Sequence, residues 1–265
     1  MTIVWPGRQR PSRGPNLVLI GFGSLDVASL DAETTPTLEA LAREGVFFDQ
    51  ALVSTTDPST GHAVWLSGLE PHRLRASGGP EGGSEGEPVE SLLQRLTKAG
   101  YRSASMGDAR LADRFAGLTT DPPTLERWPL ALEPLRLFAA SLAPHLGLDP
   151  PARRDADAAS ESVDRALRFV DAGTKPFALA LFLPEARPPF AGACPRALAF
   201  TDPSYRGRCK YRTCDAAPGA PPRDDDDRRQ ELALRRGALA CDDAALGRLL
   251  EGLRARGLEE TTLVA

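Results

Sequence analysis

Hydrophobic positions along the chain follow two rhythms that take turns. Residues 15–22, PNLVLIGF, form an unbroken apolar run bounded by Pro and Gly, the pattern of a strand buried on both faces of a parallel sheet. TPTLEALAREGVFF then changes to helical spacing, with Leu38, Leu41 and Ala42 on one face, Pro36 in the first turn and Gly45 as the stop. VESLLQRLTKAG and DAASESVDRALRFVDAG read as amphipathic helices, and each is followed by a strand, YRSASM and KPFALALFL respectively. A helix interrupted near Pro134 is expected in LALEPLRLFAASLAPHLG. The last long helix, near residues 228–256, carries Leu246, Leu249, Leu250 and Leu253 at helical spacing. Between these elements, ASGGPEGGSEGEP reads as a loop and residues 184–224, rich in Pro, Arg and Cys, as an irregular excursion. RDDDDRRQ reads as a solvated turn opening the last helix, since acids suit a helix N-terminus.

Strands alternating with helices predict an α/β fold, a mostly parallel central sheet with helices on both faces. Ligands bind such sheets beyond the carboxyl ends of the strands. That directs attention to residues 21–26, 107–110 and 184–187, and to the chain beyond Val264. The tail LEETTLVA ends inside an apolar β-branched run, so the expectation is an N-terminal part of a larger domain.

Composition adds exclusions. With 265 residues, 42% hydrophobic and 26% charged, the chain can bury a full core. A net charge of -4 gives no electrostatic reason to expect nucleic acid or an anionic membrane as partner. The basic N-terminus lacks an apolar core region, and the longest apolar run, FALALFLP, is too short to span a bilayer, which together predict a cytoplasmic protein. Of the four cysteines, Cys209 and Cys214 are close enough to bridge, but no second pair has zinc-ligand spacing, and reduced thiols are expected for all four, Cys194 and Cys241 included.

The candidate chemistry lies in TTDPSTGHAVWLSGLEPHR, which crowds hydroxyls ahead of Gly61 and His62. Thr56, Ser59, Thr60 and His62 are the candidate catalytic residues. The plainer reading is that Ser59 or Thr60 caps the helix carrying HAVWLSG. Asp26 is a candidate turn residue, and Asp242 and Asp243 are assigned to the scaffold of the last helix.

Seven segments in order, PNLVLIGFGSLD, TTPTLEALAREGVFFDQALV, HAVWLSGLEPHR, LLQRLTKAGYRSASM, KPFALALFLPEARPPF, FTDPSYRG and ACDDAALGRLLEGLRARGLEETTLV, resemble the sulfatases of the alkaline phosphatase superfamily. The resemblance implies an N-terminal extension over residues 1–14 and a C-terminally truncated sulfatase-like domain over 15–265. It also implies sulfuric ester hydrolysis by a formylglycine nucleophile, made from Cys or Ser in C/S-x-P-x-R, beside a calcium or magnesium ion held by strand-end carboxylates. Carried over residue by residue, the pattern breaks. Gly23 holds the place of the first metal aspartate, Pro58 that of the nucleophile, Asp108 that of the lysine in G-K-W-H, and Glu185 and Arg187 stand in D-P-H-x-P-Y. His62 matches the family's arginine or histidine. The resemblance therefore implies an impaired or inactive sulfatase with no metal cofactor. An alternative is a pseudoenzyme that holds a sulfate or phosphate ester with His62, Arg110 and Arg187; another is a phosphoryl-transfer relative using a shifted hydroxyl of DPSTGH.

Overall fold

The computed structural model describes residues 2–4, 14–76, 89–108, 111, 115, 118, 120–121, 158–173, 176–186, 190, 194–207, 209 and 224–265. The helix expected over residues 130–147 and the glycine-rich loop over residues 76–88 lie outside these, apart from Ala76. In chain order the elements are β1 (Thr2–Val4), β2 (Asn16–Phe22), α1 (Pro36–Glu44), β3 (Val46–Phe48), α2 (Pro58–Ser67), α3 (Pro71–Ala76), α4 (Leu92–Lys98), β4 (Arg102–Met106), β5 (Thr120–Asp121), α5 (Ala158–Asp171), β6 (Phe177–Leu183), α6 (Asp225–Ala255) and β7 (Thr262–Val264).

Five strands form one sheet in the order β5-β4-β6-β2-β7, and every neighbouring pair is parallel. This is the α/β architecture expected from the alternating rhythms. The unbroken apolar strand β6 is buried at all seven positions because both of its faces are covered. Leu179, Leu181 and Leu183 meet α1, α5 and α6, through residues such as Leu38, Val163 and Leu249. Ala178, Ala180 and Phe182 meet the other layer, including Ala63 and Leu66 of α2 and Leu93 of α4. Alternation along the strand thus divides one apolar run between two cores.

Polar side chains fix the register where apolar packing cannot. Asn16 Oδ1 accepts the N–H of Phe177 at 3.1 Å and Asn16 Nδ2 reaches Thr262 Oγ1 at 3.5 Å, tying β6 and β7 to the start of β2. In α6 the buried carboxylate of Asp243 accepts the N–H groups of Thr37 and Leu38 at 3.0 and 2.9 Å, capping α1 from across the core. Its neighbour Asp242, also buried, accepts from Glu185 and Ala186 at 3.3 and 3.1 Å just beyond β6. The assignment of both aspartates to the scaffold holds. Burial pushes the Asp243 carboxyl above its ordinary value, against the opposing hydrogen bonds from Thr37 and Leu38.

Three features depart from the sequence reading. Within the N-terminal extension, Thr2–Val4 pairs antiparallel with Val46–Phe48, a strand that the sequence pattern did not separate out after the Gly45 stop. The thiols are not reduced: Cys194 and Cys241 form a disulfide with Cα atoms 5.9 Å apart, and Cys209 is disulfide-bonded as well. Spacing could not find the first pair, because the two residues are 47 positions apart and meet only when the 194–200 turn lies on α6. Gly237 permits that approach, as a Cβ there would sit 2.1 Å from the Ala197 carbonyl oxygen. Finally, the acidic run is not wholly solvated. Asp224 caps α6 by accepting from Asp227 N at 2.7 Å, while Asp227 itself is buried against the Tyr205 hydroxyl.

Replacing Asp243 by alanine leaves two N–H donors at the start of α1, the partly buried one of Thr37 and the buried one of Leu38, without this partner. The Asp243→Ala protein is expected to lose about 2 to 4 kcal/mol in urea unfolding, roughly the cost of two unsatisfied donors. A loss below the error of the measurement would show that α1 does not depend on this carboxylate.

Candidate functional site

At the carboxyl end of the sheet, α2 begins with the DPSTGH sequence. Asp57 is its N-cap, accepting the N–H of Thr60 at 2.8 Å, and Pro58 occupies the first turn, where a missing N–H costs nothing. The expectation that Ser59 or Thr60 caps this helix is corrected: the cap is one carboxylate earlier, and both hydroxyl residues lie inside the first turn, 3% and 7% exposed. Ser59 Oγ is buried and finds no hydrogen-bond partner among the described residues.

One turn into the helix, His62 enters the space between the ends of β2 and β6. Its ring stacks on Phe182, with centroids 3.8 Å apart and planes at 30°. Nδ1 lies 2.7 Å from Asp108 Oδ2, and both residues are buried, at 7% and 5% exposure. Since an ionised carboxylate only accepts, the imidazole donates from Nδ1, which fixes the ring's orientation.

Two glycines make this cluster possible. A Cβ on Gly21 would come within 2.6 Å of Phe182 Cδ1 and 3.6 Å of His62 Nε2. Gly107 has φ of +90°, and a Cβ there would strike the Phe182 carbonyl oxygen at 1.8 Å. The strand-end glycines in LIGF and SMGD therefore let Phe182, His62 and Asp108 meet.

Beside His62 lies a cavity of about 530 Å³. Gly23, Thr56 and Pro58 line it together with His62, while neither Ser59 nor Thr60 does. Of the strand-end and loop residues singled out in the sequence, Gly23 and Pro58 line the cavity, whereas Asp108 does not line it and contacts His62 behind it. Arg110 and Arg187 lie outside the described residues. Sequence reasoning noted His62 and Asp108 separately and missed their pairing. The signal available was a charge reversal, an acid at the lysine position of one strand end.

The carboxylates near the cavity have other work. Asp26 pairs with Arg235 at 2.6 Å and accepts from the Ser29 hydroxyl at 2.6 Å, and Arg235 also donates to the Ser24 carbonyl at 2.9 Å. Burial alone would raise the Asp26 carboxyl, but the Ser29 and Arg235 hydrogen bonds outweigh it and hold the carboxyl below its ordinary 3.8. Glu185 accepts the N–H of Ala158 at 2.9 Å, capping α5. Among the described residues, no group of three or more His, Cys, Asp or Glu side chains converges to hold an ion. A calcium or magnesium ion needs several hard oxygen ligands in one place, and the side chains present do not fit it. Nor does Pro58 fit a formylglycine, having no side-chain atom that could be oxidised to one.

A sulfatase family model matches residues 15–265, nearly the whole chain. The chain belongs to the sulfatase family. Its fold is similar to that of the phosphonate monoester hydrolase of Agrobacterium radiobacter, with a TM-score of 0.67 and 18% identity over 94% of this chain and 61% of that one. It is also similar to an alkaline phosphatase superfamily protein of Vibrio parahaemolyticus, with a TM-score of 0.56 and 16% identity over 98% and 55% of the two chains. The lipoteichoic acid synthase LtaP of Listeria monocytogenes gives a TM-score of 0.57 and 16% identity over 98% and 58%. This sulfatase-family chain thus spans only 55 to 61% of the length of these structures. No curated protein matches it.

The absence of a fitting ligand set can be checked with the ions themselves. Calcium or magnesium added at millimolar concentration leaves the melting temperature unchanged, and elemental analysis after dialysis finds no ion in stoichiometric amount; a rise in melting temperature with either ion would show a ligand set that the described residues lack. For Asp26, the depressed carboxyl stabilises the fold above pH 3.8 and ceases to do so as pH falls through its lower folded value. The stability difference between the protein and Asp26→Asn therefore shrinks on acidification below pH 3.8. A difference that is flat across that window, measured by urea unfolding, would remove Arg235 as the cause.

Proposed function

We propose that this chain is a sulfatase-family protein that has lost sulfuric ester hydrolysis and keeps the strand-end cavity as a binding site. The observation that carries the reading is Pro58. Counted from the HAVWLSG segment it holds the nucleophile's position, and in the fold it serves as the first residue of α2, lining the cavity with no group that can attack. Gly23, also in the lining, supplies no carboxylate where the family places a metal ligand. The lining also carries the polar side chains of Ser24, Ser54, Thr55, Thr56, Asp57 and His62, the last paired with Asp108, and these replace neither missing part.

Among the described residues no helix is long and apolar enough to cross a membrane. The Cys194–Cys241 disulfide supports an oxidising compartment as the place of action in preference to the cytoplasm.

Removing one preorganised transition-state contact costs about a hundredfold or more in rate, and groups acting as a unit do not add simply. The protein is therefore expected to show no aryl sulfate or aryl phosphate turnover above background. Pro58→Cys alone restores none, since the metal carboxylates are still absent. Turnover by the unaltered protein that disappears in Thr56→Ala would overturn the reading and assign attack to the exposed hydroxyl of Thr56 on the cavity wall.

A further inference from the structure

We infer that the cavity takes a neutral alkyl glycoside, its short hydrocarbon chain on the cavity floor and its sugar hydroxyls at the rim. This rests on the reading of the cavity as a binding site and names the ligand class.

The lining changes character with depth. Leu38 and Leu41 of α1, Leu246 of α6 and Val264 of β7 are between 1% and 8% exposed, yet all four line the cavity, and so they form its floor. They also belong to the main apolar core, whose close packing holds the floor in place. A hydrocarbon chain laid there leaves water and desolvates no polar side chain of these four residues.

The rim is hydroxylated. Ser24 reaches it from the loop after β2, and Ser54, Thr55 and Thr56 from the loop before α2. Thr55 Oγ1 accepts the N–H of Asp57 at 3.2 Å. The hydroxyls of Ser24, Ser54 and Thr56 make no hydrogen bond with the protein among the described residues, and Ser54 and Thr56 are exposed. A hydroxyl both donates and accepts, so this set pairs with the hydroxyls of a sugar in either direction. In the same loop Leu52 and Val53, 96% and 80% exposed, offer apolar area to a chain that passes the rim toward the floor.

Asp57 and His62 also line the cavity, but the first is engaged with Thr60 N and the second with Asp108, and the ligand needs neither. Among the described residues the lining holds neither lysine nor arginine to meet an anionic head group. The volume of about 530 Å³ lies within the range of small-molecule sites. A bare sugar would leave the floor uncovered, and a bare alkanol would leave most of the rim hydroxyls to water.

The test titrates methyl, butyl and octyl glucoside, octanol and octyl sulfate separately into the full chain by calorimetry, each as a monomer in solution. Affinity is expected to rise about fourfold per added methylene from methyl to butyl glucoside. Octyl glucoside is expected to bind about tenfold more tightly than octanol, the worth of one or two hydrogen bonds. Ser54→Ala combined with Thr56→Val, both at exposed positions, removes that advantage while octanol binds as before. An affinity that does not grow with chain length would overturn the inference. So would a head-group advantage that survives the double variant, or tighter binding of octyl sulfate than of octyl glucoside. Equal binding of octanol and octyl glucoside overturns the ligand class and leaves the binding site standing, whereas no binding of any probe overturns both. Phosphatidylcholine vesicles carrying a glycosylated diacylglycerol present the same chemistry from a membrane. Binding to these vesicles as well assigns a lipid-borne ligand, and binding to the glucosides alone a free one; both support the class. Release of octanol from octyl sulfate would instead sink the loss of hydrolysis and leave the ranking of the glucosides to judge the ligand.

Discussion

Two adjacent carboxylates in the middle of α6 hold the site's framework. A buried N–H must have a partner, and four of them, at Thr37, Leu38, Glu185 and Ala186, depend on Asp243 and Asp242. Neighbours on a helix point about 100° apart, so one aspartate reaches α1 and the other the turn after β6. One turn further along, Leu246 joins the cavity wall. Nearer the start of the helix, Arg235 fastens the Ser24 carbonyl and Asp26 in the loop after β2. The same helix thereby sets the floor, one wall and the entering loop. Burying a carboxylate is costly unless it is well satisfied, and two N–H donors apiece meet that condition.

This division of labour separates the bonds that hold the frame from the positions that the resemblance assigns to catalysis. The family's catalytic positions sit at strand ends and in the first turn of α2, but the bonds that hold those segments come from elsewhere. Asp57 caps α2, Asp243 caps α1 and Glu185 caps α5. Pro58 suits a helix start, and Gly23 suits a strand end, so neither residue disturbs the frame. His62 and Asp108 complete each other at 2.7 Å. Phe182 stacks beneath them because Gly21 and Gly107 leave its ring and carbonyl the room.

Much of the fold was legible in the sequence because apolar rhythm reports burial directly. The runs NLVLIGF and FALALFL read as strands of a parallel sheet, the second buried at every position and the first only at Val18, and the helices on either side are set by their spacing. The short strand VFF was missed because three residues past the Gly45 stop carry no periodicity of their own. In the site, the scaffold role of Asp242 and Asp243 was legible. The pairing of His62 with Asp108 was not, since it joins residues 46 apart through a contact that only the packed sheet creates. The Cys194–Cys241 bond was illegible for the same reason. The cap at Asp57 was misplaced by two or three positions because Asp, Ser and Thr are near-equals at an N-cap, and local preference does not choose among them.

The central claim is that the strand-end site has exchanged metal-assisted attack for the His62–Asp108 pair. It is tested most directly by a crystal structure of the protein grown with calcium and an aryl sulfate. The account predicts His62 Nδ1 on Asp108, Asp57 capping α2, Asp26 on Arg235 and no ion between Gly23 and Pro58. A calcium ion bound by Asp26 or Asp57, with Asp108 turned from His62 toward the metal, would contradict it.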